Sequence, residues 1–480
     1  MKNIKIYIIF LILGLISEQG FPQSAATDSL EAYLVIAAQN NLEVKAAFSL
    51  YLAALEKVPQ AGGWYDPQLS MDFFLKPMEL VGGNEVLDIR LMQMFPWFGT
   101  LKAAKDEASM MAKARYEVFN IAKADLYYNV KSGWYRILKY DQEITLQSEN
   151  IQFLESIEQM ILVRYQNPTG NSGVQKQPGA AGTENNNQNA MNAGQGGMGS
   201  TGTQPVNGNN AQPAAPMPAS SSEGMGAQQS GLTDVLSIKM EILEQKNQLA
   251  LLLDQKKNEV AGFNALLNRP LNSAVFITDS LQLNVLSVEQ SSMLDNVLSN
   301  NPMLKMLDAE GQSYALMEQK VRKMGMPMFG IGVDYVLVQK RVDNTSMMNG
   351  NDMAMPMLTL TLPIYRNKYN AMQNEAKFMV QAKQLERESL ENMLQVQSGQ
   401  VIQDLEDAAR RIVLYNELVS LSRKTTDILI TSYSTGSVGY EEVLRIQYKT
   451  LDYGFKYIEA VIDYNTAVAA VEKLMNADRY

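Results

Sequence analysis

After Pro363 the chain contains no further proline, so nothing from Arg366 to the C-terminus forbids helix at any position. Within this stretch Val401, Leu405, Ala408, Ile412, Tyr415 and Val419 recur at alternating spacings of four and three. That pattern lays one narrow apolar stripe along a helix, as coiled-coil packing requires. The pattern is interrupted once, at Ser434–Gly439, where two glycines mark a turn. A helix from Arg366 to Tyr433 reaches about 100 Å at a rise of about 1.5 Å per residue. A compact domain has no use for such an element; the helix must span a distance. A second proline-free stretch, following Phe95-Pro96-Trp97-Phe98-Gly99 and running to about Tyr165, reads the same way.

The chain has 480 residues, room for two or three ordinary domains. It has no Cys and no His, which excludes disulfides, thiolate metal sites and catalysis by Ser/His/Asp or Cys/His. No enzyme activity and no cofactor are expected. The net charge of −10 argues against a nucleic-acid partner. At the N-terminus Lys2 and Lys5 precede an apolar run, Ile6–Ile16, followed by small and polar residues. This reads as a secretory signal peptide over residues 1–23, too short to span a membrane, with cleavage expected between Gly20 and Ala26. No Cys follows the run, so a lipid anchor is not expected. No other stretch approaches a membrane-spanning helix, so any insertion must use strands.

Along the mature chain a helix is expected over about Asp28–Lys57, capped by Asp28 or Ser29 and broken by Pro59-Gln60-Ala61-Gly62-Gly63. Two alternating runs follow: Leu69, Met71, Phe73 and Leu75, then Leu87, Ile89 and Leu91, with Lys76-Pro77 and Val81–Asn84 as the turn. After the first long helix, Asn167–Gly231 has no aromatic, Leu or Ile residue and is dominated by Gly, Asn, Gln, Ala, Ser and Pro. It cannot bury a core and is expected to be disordered. Helix is expected again over 232–268. The chain then repeats itself. Asn40-Asn41-Leu42 matches Asn300-Asn301-Pro302 and Pro67 matches Pro327 at an offset of 260, and Tyr165 matches Tyr433 at 268. Past the turns, Asp234-Val235-Leu236 matches Glu442-Val443-Leu444 and Asn268 matches Asn476, both at 208. The fall from 268 to 208 makes residues 167–231 an insertion of about 60 residues into one turn. The first repeat is thus 28–166 with 232–268 (strand pair about 67–95), and the second is 286–476 (strand pair about 327–363). The second pair alternates through Phe329, Ile331, Val333 and Tyr335, then Leu358, Leu360 and Leu362.

Four strands with one apolar face each suit either a soluble core or a membrane barrel with that face outward. Four cannot close a barrel, since about eight is the practical minimum, so in the second case several chains must share one. In its duplicated architecture the sequence resembles the TolC family of outer-membrane efflux proteins. Specific resemblances are Asn300-Asn301-Pro302 with Pro327 ahead of a strand, Leu362-Pro363-Ile364-Tyr365 entering the long helix, and the turn from Tyr433 to Leu444. The segment Gln93–Leu101 resembles the branch associated with metal-efflux pumps of the tripartite RND type. The resemblance implies a mainly α fold with a membrane β-barrel contribution. It implies a homotrimer whose three sets of four strands form a 12-stranded barrel, continued by a periplasmic α-helical tunnel. It also implies an outer-membrane location in a Gram-negative bacterium, with lipid, a periplasmic adaptor and an inner-membrane pump as partners.

Carried over by position, the adaptor-docking and gating tip comprises Arg164, Tyr165, Leu232 and Asp234 in the first repeat. In the second it comprises Tyr433, Gly436, Val438, Gly439 and Tyr440. Asp404, Asp407 and Glu441 are candidates to line the tunnel, against the plainer reading of a solvated helix face. Met347, Met348, Met353 and Met355 are weak candidates for a soft metal ion. The plainer reading is that strand methionines fill apolar surface and face lipid. Two function classes stay open: an exit duct for efflux or for type I secretion, and a periplasmic coiled-coil scaffold without a pore. They part at the strands, which a scaffold does not need.

Overall fold

A computed structural model describes residues 29–166, 229–277, 281–284, 290–343, 345 and 347–476. The signal-peptide segment and residues 167–228 lie outside the described residues. The helices are α1 (Leu30–Asn40), α2 (Leu42–Ala61), α3 (Thr100–Gln166), α4 (Gln229–Leu266), α5 (Gln290–Asn300), α6 (Pro302–Met324), α7 (Arg366–Ser434) and α8 (Tyr440–Met475). The strands are β1 (Gln68–Leu80), β2 (Gly83–Phe95), β3 (Met328–Gln339) and β4 (Met353–Thr361). The described residues divide into two compact units: those within 148–248, and the others.

The helix expected over 28–57 is two helices, because Asn41 ends one and starts the next. Ser29 caps α1, its Oγ accepting from Ala32 N at 3.3 Å. Asn41 Oδ1 accepts from Glu43 N (3.0 Å) and Val44 N (3.1 Å), satisfying two otherwise orphaned donors of α2. Its Nδ2 donates to the carbonyl of Leu266 at 3.0 Å. The second repeat builds the same clamp: Asn301 accepts from Met303 N (3.0 Å) and Leu304 N (3.4 Å) and donates to Leu474 O (3.1 Å). Asn268 and Asn476 then take the same left-handed conformation past the ends of α4 and α8, at φ 50° and 48°. The repeated asparagines are therefore a repeated tertiary joint. Contrary to the expected break, α2 runs through Pro59 to Ala61, with Gly62 N bonding back to Val58 O at 3.3 Å.

The helices of the larger unit pack around apolar clusters, of which two are large. One joins Tyr33 and Leu34 of α1, Val130, Trp134 and Ile137 of α3, Phe263 and Leu267, and Ile458 and Ile462 of α8. Its rings meet at centroid distances of 5.4 Å (Tyr33–Trp134, Tyr33–Phe263) and 6.2 Å (Trp134–Phe263). The other joins Met293, Val297 and Leu304 to Leu394 and Leu405 of α7 and Val468 and Val471 of α8. Along α7, Leu390, Leu394, Ser398, Leu405, Ala408, Ile412, Ser422, Thr426 and Tyr433 are buried, which extends the coiled-coil seam in both directions. Toward the turn the seam becomes hydroxylated. There Ser422 and Thr426 bond to helix carbonyls at 3.1 and 3.0 Å, so their burial leaves no orphan group. In residues 148–248, Ile157 and Ile161 of α3 and Val235, Ile238 and Ile242 of α4 are buried, with Lys246 paired to Glu155 at 2.8 Å.

The strands form one antiparallel sheet in the order β1-β2-β3-β4, so the two repeats meet between β2 and β3. β1 continues through Lys76-Pro77, which were expected to turn. The register slips between Phe73 and Met78, and the hairpin closes later, at Val81-Gly82. A proline is tolerated there because β1 is an edge strand and the ladder is already interrupted.

Candidate functional site

The sheet register sorts the strand residues into two faces. Leu69, Leu91, Val333 and Pro356 lie in one row across the four strands, and Met71, Ile89, Tyr335 and Ala354 in another. With Phe73, Leu87, Ile331, Leu337, Leu358 and Leu360 they make a continuous apolar face. That face is exposed: Ile331 by 56%, Val333 by 53% and Leu358 by 80%. The opposite face carries the rows Ser70-Arg90-Asp334-Met355 and Asp72-Asp88-Val336-Met353. Along β3 every residue of that face from Gly330 to Val338 is buried, while its neighbours on the other face are exposed. Arg90 pairs with both Asp88 and Asp334 at 3.2 Å, and Asp334 is only 5% exposed. Asp88 Oδ1, Asp334 Oδ1 and Arg90 Nε find no hydrogen-bond partner among the described residues. Charge thus faces the covered side and apolar surface faces out, the reverse of a soluble sheet. The Asp88–Arg90–Asp334 group was not singled out in the sequence. Its signal was present as the polar phase of the alternation that identified the strands.

The second hairpin turn has a defined geometry. Ser437 N bonds to Ser432 O and Gly436 N to Tyr433 O, both at 3.0 Å, and Gly436 has φ 79°. These are the two bonds of a Schellman ending, with Gly436 at the position that needs a left-handed conformation. Gly439 differs in kind. It precedes α8 in an extended conformation (φ −76°, ψ 156°), and a Cβ placed there would meet nothing within 4 Å. Tyr433 is buried, Val438 and Tyr440 are half-buried, and Gly439 is exposed. At the first turn Arg164 is exposed on the last turn of α3, which also contains Tyr165. Leu232 and Asp234 lie near the start of α4, and Asp234 is half-buried.

The three tunnel candidates separate. Asp407 is tied to Arg410 (3.1 Å) and Arg411 (2.8 Å), and Arg411 in turn to Asp463 (2.9 Å). The two guanidiniums hold its carboxyl below the usual range. Asp404 and Glu441 are exposed. Next to Glu441, Glu442 pairs with Arg445, which lowers its carboxyl.

The strand methionines divide between the two faces: Met71 lies on the exposed apolar face, whereas Met353, Met355 and Met357 lie on the face that carries the charges, opposite Val336, Asp334 and Gly332. Met92 and Met94 share that face. Met347 and Met348 lie in the β3–β4 connection, both exposed, beside an Arg341 clasped by Asp343 (2.8 Å) and Glu79 (3.2 Å). Among the described residues no group of three or more acidic side chains gathers to hold a metal ion, and no helix is long and apolar enough to cross a membrane.

A tandem repeat in which a strand pair feeds a long helical hairpin, with the two strand pairs joined in one inverted sheet, defines a TolC-like fold. Solved outer-membrane channels share it. The outer membrane protein VceC of Vibrio cholerae aligns with a TM-score of 0.62 at 12% identity, covering 93% of this chain and 95% of that one. The outer-membrane channel OprN aligns at 0.64 and 11%, covering 93% and 89%. The outer membrane channel CmeC of Campylobacter jejuni aligns at 0.62 and 11%, covering 93% and 85%. No protein-family model matches the sequence, and no curated protein matches it significantly.

Proposed function

We propose that the protein is a passive exit duct of the outer membrane. Three chains pair the open edges β1 and β4 of successive sheets into one 12-stranded barrel (three times four strands). The long helices continue it as a tunnel in the periplasm of a Gram-negative cell. The turns around Tyr165–Leu232 and Tyr433–Tyr440 contact a periplasmic adaptor, which joins the duct to an inner-membrane pump exporting drugs or metal ions. The observation that carries this reading is the inverted sheet. An apolar face 40–80% exposed in β3 and β4, backed by a charged one, is costly to keep in water and suited to lipid. Exposed apolar side chains on α7, among them Leu414, Leu421 and Ile428 at intervals of seven, give each chain a second seam for its neighbours. The same sheet argues against a pore-free scaffold. Export of proteins through the same duct remains the alternative cargo. Fractionation followed by gel electrophoresis with and without boiling tests the proposal: a heat-sensitive trimer in the outer membrane is expected, and a soluble periplasmic monomer would overturn it.

A further inference from the structure

A water-filled barrel has a polar lining, yet this sheet carries thioethers on its inner phase. All six methionines of β2, β3 and β4 lie there: Met92, Met94, Met328, Met353, Met355 and Met357. The outer phase of the same strands holds Leu, Ile, Val, Phe, Tyr, Ala, Pro and Gln but no methionine. Methionine used as a filler of apolar surface would follow the lipid-facing phase or ignore phase altogether. Between the methionines of β2 and β4 the intervening strand is bare, because Gly330 and Gly332 stand opposite Met94 and Met92 on one side and Thr359 and Met357 on the other. The side chains lean into that space. A methyl group built on Gly330 would fall 2.5 Å from Met94 Sδ, and one on Gly332 would fall 3.5 Å from Met357 Cε. The two glycines are about 7 Å apart along one strand face. Methionine side chains from the strands on either side of β3 therefore cover its two glycines, Met94 over Gly330 and Met357 over Gly332.

We infer that this inner wall is a binding site for a soft monovalent cation, Cu(I) or Ag(I), ligated by Met92, Met94 and Met357 over the glycines of β3. Thioether sulfur is a soft donor that selects such ions over Mg²⁺, Ca²⁺ or Zn²⁺. Asp88 and Asp334 share Arg90 as their partner on the same face, so the group keeps an excess of negative charge beside the site, with Asp334 two residues beyond Gly332 on β3. One such wall per chain would place equivalent sites around the pore. The placement inside a pore rests on the duct reading; the gathering of methionines on this face of the sheet does not.

The test uses the full-length mature protein purified in detergent, with its trimer first verified by heat-sensitive mobility, so that failure of the duct reading registers separately. Equilibrium dialysis against Ag(I) should show saturable binding stoichiometric with the chain. Met94→Leu/Met357→Leu, which keeps side-chain volume, should weaken it by about tenfold or more. The loop variant Met347→Leu/Met348→Leu should bind as the parent does. Non-saturable binding, a double variant that binds unchanged, or loss of binding in the loop variant alone would each overturn the inference. Should the double leucine variant lose its trimer, the selenomethionine-labelled loop variant decides. X-ray absorption at bound Ag(I) must show selenium neighbours, and coordination by oxygen or nitrogen alone refutes the site.

Discussion

Gly436 and Gly439 are three residues apart and look alike as residues, yet physical chemistry separates them. Gly436 holds φ 79° within a Schellman ending, a conformation that costs a residue with a Cβ about 1–2 kcal/mol. Gly436→Val is accordingly expected to loosen the α7–α8 turn, read as faster proteolytic nicking there. Gly439 has an ordinary backbone and open space where a side chain would go, so nothing among the described residues requires glycine. Gly439→Trp should leave the amount and heat stability of the trimer unchanged while abolishing export-dependent resistance, because only a partner approaching the turn would meet the indole. If resistance persists, the second turn is not a docking surface.

At the scale of elements, the two asparagine joints explain how each repeat locks its short helix to its long hairpin. Each joint makes three hydrogen bonds: two accepted at the start of a helix and one donated to the end of another. Asn301 is 6% exposed, so removing its side chain strands two helix N–H groups and the Leu474 carbonyl away from water. Asn301→Ala is expected to destabilise the second repeat by about 1–3 kcal/mol. Asn301→Asp should recover only part of that, since it restores the acceptor but not the donor. Thermal unfolding followed by circular dichroism in detergent would distinguish the two, and equal midpoints for all three proteins would remove the joint's importance.

At the scale of the whole molecule, the sheet's inner face sets what the proposed duct passes. Each chain contributes Asp72, Asp88, Asp334 and Glu85 to that face, with Arg90 as the cation paired there, and every added chain repeats the excess of negative charge. Lumen charge tunes the selectivity of a barrel, so the open channel in a planar bilayer is expected to prefer cations. Asp72→Asn should lower that preference and leave the trimer intact, because the substitution keeps the backbone that pairs and Asp72 is not a partner in the Arg90 ion pairs with Asp88 and Asp334. Unchanged reversal potentials in the variant would place the selectivity elsewhere.

The sequence by itself determined the helices, their turns and the duplication, because these are local or periodic properties. A proline-free heptad stripe from Val401 to Val419 has one low-energy arrangement, and matched offsets of 260, 268 and 208 need no coordinates. It also marked the alternating strands, but alternation alone leaves open which phase lies inside. Only pairing across strands 244 residues apart, such as Arg90 with Asp334, decided that charge and thioethers share the covered face. Tertiary structure likewise decided that Pro77 lies within a strand and that Asn41 ends one helix and begins another. It separated Gly436, held by its backbone, from Gly439, which no described residue constrains. In each case the deciding force is a contact between segments far apart in sequence, which no local pattern records.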